Sequence, residues 1–274
     1  MATLNTVTSS TRPASPAAGE AYFETDTNKI IVWTGSEWTE IVSDTVPSFS
    51  NTYSVDFDGS NDYVTFGSVT ALNSASAFSV SVWYKKGSAS DEGMIIGSGT
   101  NNPRFFLQHY SDNNLYVGFG GAYDYVSATS DTDWHHALYV FNSGTHKLYW
   151  DGAELSFILG DTPPSTTGST LGNNFYIGKW NTYAPHFEGL VDEVSVFNSA
   201  LSASQITNIY RGEDDGGSGG TDGVPGDLST FNPVGWWRMG DDDSGTGTTI
   251  TDQGSGSNDG TLTNGPTFST DVPS

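Results

Sequence analysis

The chain contains no cysteine, which removes disulfide staples and thiol chemistry together. Basic residues are scarce: nine Lys and Arg stand against 32 Asp and Glu, a net charge of -23. Such a surface repels a phosphate backbone, so no DNA or RNA partner is expected. No apolar run approaches the roughly 20 residues that cross a bilayer as a helix, so no membrane insertion is expected either. The opening Met1-Ala2-Thr3-Leu4-Asn5 has neither the basic nor the apolar part of a secretion leader. Synthesis in a cytoplasm is the expectation that follows. Strong helix signals are few.

What remains is turn chemistry and short alternating strands. Gly, Ser, Thr, Asn and Asp are frequent, and 13% of the residues are aromatic, the composition of an all-β protein. The stretch from Leu190 to Ser202 organises the reading. In Leu190-Val191-Asp192-Glu193-Val194-Ser195-Val196-Phe197, Val194 and Val196 take one face of a strand, and Glu193, Ser195 and Phe197 the other. Ser202-Ala203-Ser204-Gln205 spells a capping box, with Ile206, Ile209 and Tyr210 on one helical stripe and Gly212 placed to end the helix.

Phe78, Val80 and Val82 alternate with Ser79 and Ser81 as in a half-buried antiparallel strand. Leu138, Tyr139, Val140 and Phe141 predict a strand covered on both faces. Asp151-Gly152 predicts a tight hairpin, because both residues tolerate positive φ. Upstream, Ala21–Thr25, Lys29–Trp33 and Glu37–Val42 read as a three-stranded meander too small to bury a core by itself. Residues 1–11 are polar and expected to be extended or mobile, and Pro47 lies in a linker over 43–52.

Gly189-Leu190-Val191-Asp192-Glu193-Val194 with Ala200-Leu201-Ser202 and Ile206 resembles the closing motif of laminin-G-like domains in the concanavalin A-like lectin/glucanase group. Val55-Asp56-Phe57-Asp58-Gly59-Ser60-Asn61-Asp62-Tyr63-Val64 is similar to that family's opening strand, and Phe78–Tyr84 to its next core strand. Asp133-Trp134-His135-His136 and Leu148-Tyr149-Trp150-Asp151-Gly152 are similar to its middle strands. The resemblance runs in family order through residues 53–211. It implies an all-β fold, a concanavalin A-like jelly-roll β-sandwich, here with a small N-terminal β meander.

The expected organisation is an N-terminal module over 1–45, a sandwich over 46–212, a flexible acidic linker over 213–228 and a C-terminal segment over 229–274. Sixteen linker residues would span about 22 Å as a random coil. In the family, a Trp-containing strand and a Gly-rich Asp turn precede the opening strand. In this sequence Trp236-Trp237 and Asp252–Leu262 follow the sandwich instead. Residues 229–274 hold too few apolar side chains to fold alone, so a circular permutation that returns them to the sandwich is the first expectation. Strand donation to a neighbouring subunit and the start of a second domain are the alternatives.

Glucanases of this architecture carry Glu-x-Asp-x-Glu or Glu-x-Asp-x-x-Glu on one strand, which aligns an acid with a nucleophile. That run is absent, and adjacent Asp192 and Glu193 alternate to opposite faces. Binding without catalysis is therefore expected. His135-His136 alternate likewise and make no metal clamp. Related sandwiches imply a structural Ca²⁺ near the closing strand, which falls on Asp192, with Asp252 and Asn258 beside it if the tail returns. The competing role for Asp252 and Asn258 is to hydrogen-bond their own turn. Trp180, Tyr183 and Tyr123 lie in or beside Gly/Asn-rich loops, where their rings would stack on sugars while Asn and Asp read hydroxyls. The competing role for Trp180 is packing against the sheet.

Residues 12–38, with a Pro-rich entry and Gly35-Ser36-Glu37-Trp38, resemble small β modules of bacteriophage tail fibres and other virion proteins. That resemblance implies a virion structural protein on the particle surface, as a capsid decoration or head-fibre protein. The alternative is a tail-associated receptor-binding protein that binds a host glycan. The partners implied are other virion proteins through the N-terminal module, and copies of the chain itself in an oligomer such as a trimer.

Overall fold

A computed structural model describes residues 5–26, 29–40, 49–99, 104–181 and 185–274. It divides into two units, Met1–Phe49 and Ser50–Ser274, so the boundary falls four residues beyond the expected one. In the first unit β1 (Asn5–Val7) pairs parallel with β2 (Ala21–Glu24), and β3 (Lys29–Trp33) and β4 (Trp38–Glu40) continue the sheet antiparallel. Polar residues 5–7 are therefore an edge strand. Trp38 packs 5.4 Å from Trp33 and 5.6 Å from Tyr22, and buried Glu24 is held by Arg12. Part of the expected linker, 43–48, and the end of the third expected strand, 41–42, lie outside the described residues.

The second unit is a β-sandwich. Its strands are β5 (Ser54–Asp58), β6 (Tyr63–Thr65), β7 (Ala77–Lys86), β8 (Met94–Gly99), β9 (Arg104–His109), β10 (Asn114–Phe119), β11 (Ala122–Ser127) and β12 (Trp134–Asn142). There follow β13 (Thr145–Trp150), β14 (Ala153–Leu155), β15 (Tyr176–Ile177), β16 (Glu188–Phe197), β17 (Gly235–Trp237), β18 (Thr249–Ile250), β19 (Gly260–Thr263) and β20 (Thr267–Ser269). One sheet runs β11-β10-β9-β8-β15-β6-β19-β18. The other runs β14-β13-β12-β7-β16-β5-β20, with β17 also on β16.

Alternation builds the core. Phe78, Val80, Val82 and Tyr84 of β7 face Phe105 and Leu107 of β9 and Leu115 and Val117 of β10, all buried. The polar face of β7 departs from expectation, because Ser79 and Ser81 are also buried. Ser79 Oγ donates to the Ser199 carbonyl and accepts the Leu201 N–H, and Ser81 Oγ pairs with His136 Nε2 at 2.7 Å. Trp83 stacks on Tyr210 of α1 (Ala203–Tyr210), 5.8 Å away. Small side chains at 79 and 81 let the closing segment lie against that face. The Ser202–Gln205 capping box starts α1, Ile206 and Ile209 are buried, and Gly212 takes φ +61° after it. Among the described residues no helix is long and apolar enough to cross a membrane.

Residues 213–228 do not run as an extended coil. The Gly223 N–H returns to the Tyr210 carbonyl, Arg211 pairs with Asp222, and Asp214 accepts the Ser218 N–H. Glycines permit the reversals: a Cβ on Gly226 would meet the Gly212 carbonyl oxygen at 2.3 Å. Residues 229–274 then enter both sheets. Trp237 pairs with Val194, Leu262 with Val64 and Phe268 with Val55.

The closing strand β16 holds a further departure from strict alternation. Its register against β7 shifts between Asp192 and Ser195, and Glu193 has φ +43°. This bulge puts Asp192 and Glu193 into one buried polar network rather than on two faces. Glu193 accepts Trp236 Nε1–H at 2.6 Å and Arg238 Nε–H at 3.0 Å. Asp192 accepts Asn51 Nδ2–H at 2.9 Å, and Asn51 Oδ1 is buried without a partner. Burial pushes the Asp192 carboxyl well above its ordinary range, with nearby Glu193 and Asp241 adding to it. Glu193 is pushed up to about 7 by burial, against the pull of Arg238.

A carboxyl raised in the folded chain binds its proton more tightly there than in the unfolded chain. Stability from this pair is therefore greatest at low pH and falls as pH rises from the ordinary carboxylate range through about 7. Asp192→Asn should gain stability relative to the parent as pH rises from 5 to 8, since the amide has no buried charge to develop over that range. Thermal melts of both proteins across that range check it, and a pH-independent difference would refute it.

Candidate functional site

The alternation that buries Phe105 and Leu107 turns Arg104, Phe106 and Gln108 of β9 to the outer face of the sheet. On the neighbouring strands, Phe106 is in register with Gly118 of β10 and Gly97 of β8. Both glycines are required by close approach. A Cβ on Gly118 would sit 1.9 Å from the Phe106 ring, and one on Gly97 would sit 2.4 Å from Trp180 Cβ. The two missing side chains let Phe106 lie across β10 and let the segment after β15 carry Trp180 over β8.

The result is an aromatic cleft of about 330 Å³, lined by Phe106, Trp180, Tyr116, Tyr110 and Tyr123 with Met94, Arg104 and Gln108. Trp180 and Phe106 stand 6.0 Å apart, and Tyr116 lies 4.7 Å from Tyr110 and 6.1 Å from Tyr123. Tyr125 stacks beneath Tyr116 at 4.8 Å. The Tyr116 hydroxyl donates to Asp112 at 3.1 Å, and burial together with that carboxylate pushes its pKa up to about 12. Gln108 is 2% exposed, with Nε2 donating to the Glu92 carbonyl at 2.6 Å. The Arg104 guanidinium lies 5.5 Å from the Phe106 ring centre and 5.7 Å from that of Trp180.

The rim is also built locally. Buried Asp124 of β11 accepts the N–H groups of Leu159, Gly160 and Asp161, and the Tyr125 carbonyl accepts that of Ile158. The loop after β14 is thereby fixed beside the edge strand that carries Tyr123.

Two of the three aromatics singled out in the sequence thus meet at one cleft. Trp180, 7% exposed, both packs against β8 and forms a wall, while Tyr123, 46% exposed, is the lip. Tyr183 lies outside the described residues. The sequence reading missed Phe106, Tyr116, Tyr110, Arg104 and Gln108. Their signal was available as outward positions on strands whose partners carry glycine.

The residues expected to hold calcium are engaged with protein donors. Asp192 is occupied by Asn51 and the Glu193 N–H. Asp252 accepts the N–H groups of Trp236 and Gly254 at Oδ1 and that of Asn258 at Oδ2. Asp252 thus ties its own turn to β17, and three N–H donors already surround the carboxylate a cation would need. Among the described residues no group of three or more His, Asp or Glu is placed to hold a metal. A separate cleft of about 410 Å³ is acidic, lined by Asp56, Asp58, Asp62 and Glu188. Asp56 is raised by burial and by the other three carboxylates.

The family profile described as the concanavalin A-like lectin/glucanases superfamily matches residues 58–207. The chain belongs to that superfamily. Its fold is also that of a proposed carbohydrate-binding protein from Bacteroides ovatus, at 18% identity and a TM-score of 0.59, covering 94% of this chain and 71% of that one. Domain 4 of an extracellular arabinanase from Geobacillus stearothermophilus, solved with arabinotriose, is similar at 20% identity and a TM-score of 0.45, covering 57% and 75%. Mouse laminin α1 domains LG4-5 follow at 13% identity and 0.41, covering 64% and 52%. No curated protein sequence matches the chain. These identities speak to fold, and function has to be argued from the residues of a site.

Proposed function

We propose that the sandwich is a glycan-binding module that recognises saccharides without cleaving them. The carrying observation is the lining of the aromatic cleft. Ring faces suit the C–H surfaces of a sugar, and an amide, phenols and a guanidinium surround them to meet hydroxyls. Among the described residues that line it there is no carboxylate, histidine, serine or threonine, so the paired carboxylates of the usual glycoside hydrolysis are not in the cleft. Of the buried carboxylates with raised pKa, Asp192 and Glu193 face Asn51, Trp236 and Arg238, and Asp62 lines the separate acidic cleft. The proposed carbohydrate-binding role of the Bacteroides ovatus protein is consistent with this reading.

A glycan array of neutral and acidic saccharides probed with the full chain tests it. Binding to a defined subset that is lost in Phe106→Ala supports it. An array with no bound saccharide refutes it.

For the first unit, the proposal is attachment: a separate four-stranded sheet that fixes the module to a larger assembly, with the surface of a bacteriophage particle as the setting. Support comes from the resemblance of residues 12–38 to virion modules. Immunolabelling of particles with an antibody to the sandwich would find label on the head for a decoration protein and on the tail for a receptor-binding protein. Unlabelled particles would remove the virion setting and leave the glycan proposal standing.

A further inference from the structure

We propose that the cleft selects saccharides carrying a carboxylate, with Arg104 holding the acid group while the rings hold the sugar. This rests on the glycan-binding reading and adds the ligand class.

The observation is one of charge accounting around the arginines. Arg12 meets Glu24, Arg211 meets Asp222 and Glu213, and Arg238 meets Glu193 and Asp241. With 32 acidic residues in the chain, pairing is the ordinary fate of a cation. Arg104 has no carboxylate partner among the described residues, and its Nε is buried with no hydrogen-bond acceptor. A buried donor left unpaired is unfavourable unless something else supplies the acceptor.

The rings of Phe106 and Trp180 lie beside the guanidinium, which restrains the plane of its fork. A restrained planar fork matches a carboxylate through two parallel N–H···O bonds, a match that a lysine could not make. The surroundings further narrow the class. The separate acidic cleft repels an anion, and a net charge of -23 opposes any polyanion. A single guanidinium in such a field favours a sparsely charged ligand, with one uronic or sialic acid per few sugars, over a densely sulfated chain. The neighbouring Lys179 lies 3.5 Å from the Tyr63 ring centre.

The test is calorimetric titration of the full chain with matched pairs: 3′-sialyllactose against lactose, and glucuronosyl-xylobiose against xylobiose. The acidic member of at least one pair should bind about tenfold more tightly than its neutral counterpart at 20 mM NaCl, with the ratio shrinking at 200 mM. Arg104→Gln should bring that ratio to about 1, and Arg104→Lys, which keeps the charge and loses the fork, should restore part of it. The two pairs separate sialic from uronic acid as the source of the carboxylate. Neutral members bound as tightly as acidic ones would overturn the inference and leave glycan binding intact. So would a ratio that survives Arg104→Gln. If neither these pairs nor any arrayed saccharide bound, both readings would fall together.

Discussion

Ending the chain at residue 228 should abolish the cooperative unfolding transition of the sandwich. Residues 229–274 place Trp237, Met239 and Ile250 at 0% exposure and Leu262 at 9% in the same core as the earlier strands. Trp237 lies 4.3 Å from Phe66 and 5.8 Å from Phe175, and its Nε1 donates to the Asn258 carbonyl at 2.8 Å. Replacing a buried Trp by Ala alone costs about 3–5 kcal/mol, against roughly 5–15 kcal/mol for a whole domain. The truncation removes that side chain, five further buried apolar ones (Phe231, Trp236, Met239, Ile250 and Leu262) and the partners of β5 and β6. Circular dichroism melts and gel filtration would show a non-cooperative, associating chain, because the freed strand edges seek new partners. Adding residues 229–274 as a separate peptide should restore a transition. A truncated chain melting cooperatively within a few degrees of the parent would mean that the tail decorates the sandwich rather than completing it.

That the tail belongs in the sandwich was legible because two adjacent tryptophans and a Gly-rich Asp turn need a partner surface, whatever their place in the chain. Strand order was less so. Residues 235–237 add to β16 only where β5 has ended, a pairing that follows from the bulge at Asp192 and Glu193. Nothing in the sequence marks that bulge, since its positive-φ position is a glutamate and not a glycine. The polar face of β7 was misjudged for a related reason. Alternation says that a strand has two unlike faces, but Ser79 and Ser81 look the same whether water or α1 covers them. Residues 213–228 read as a coil from composition, yet their backbone hydrogen bonds return to α1.

The cleft was half legible. Aromatics in or beside Gly/Asn-rich loops stand out, which drew attention to Trp180 and to Tyr123 at the start of β11. Aromatics deep within strands do not, because Phe105 and Phe106 are adjacent and identical, and only the register against Gly97 and Gly118 separates the core residue from the cleft residue.

Trp180→Ala should reduce saccharide binding by at least ~30-fold, the factor expected when a central aromatic anchor worth about 2 kcal/mol is lost. The side chain walls the cleft opposite Phe106 and is one of the two rings beside Arg104, so its removal widens the slot and frees the guanidinium in one step. Because Trp180 is 7% exposed, the same substitution also lowers stability, and a weak binder could then be a poorly folded one. Tyr123→Ala separates the two effects. At 46% exposure on the cleft lip, its truncation should leave the melting temperature within about 2 °C, since exposed sites contribute little to stability. Its binding should fall by only about three- to tenfold, because a wet rim contact contributes less than a desolvated wall. Graded losses in that order, with cooperative melts for both variants, identify the cleft as the sugar site. Parental affinity in both variants would move the site elsewhere on the sandwich.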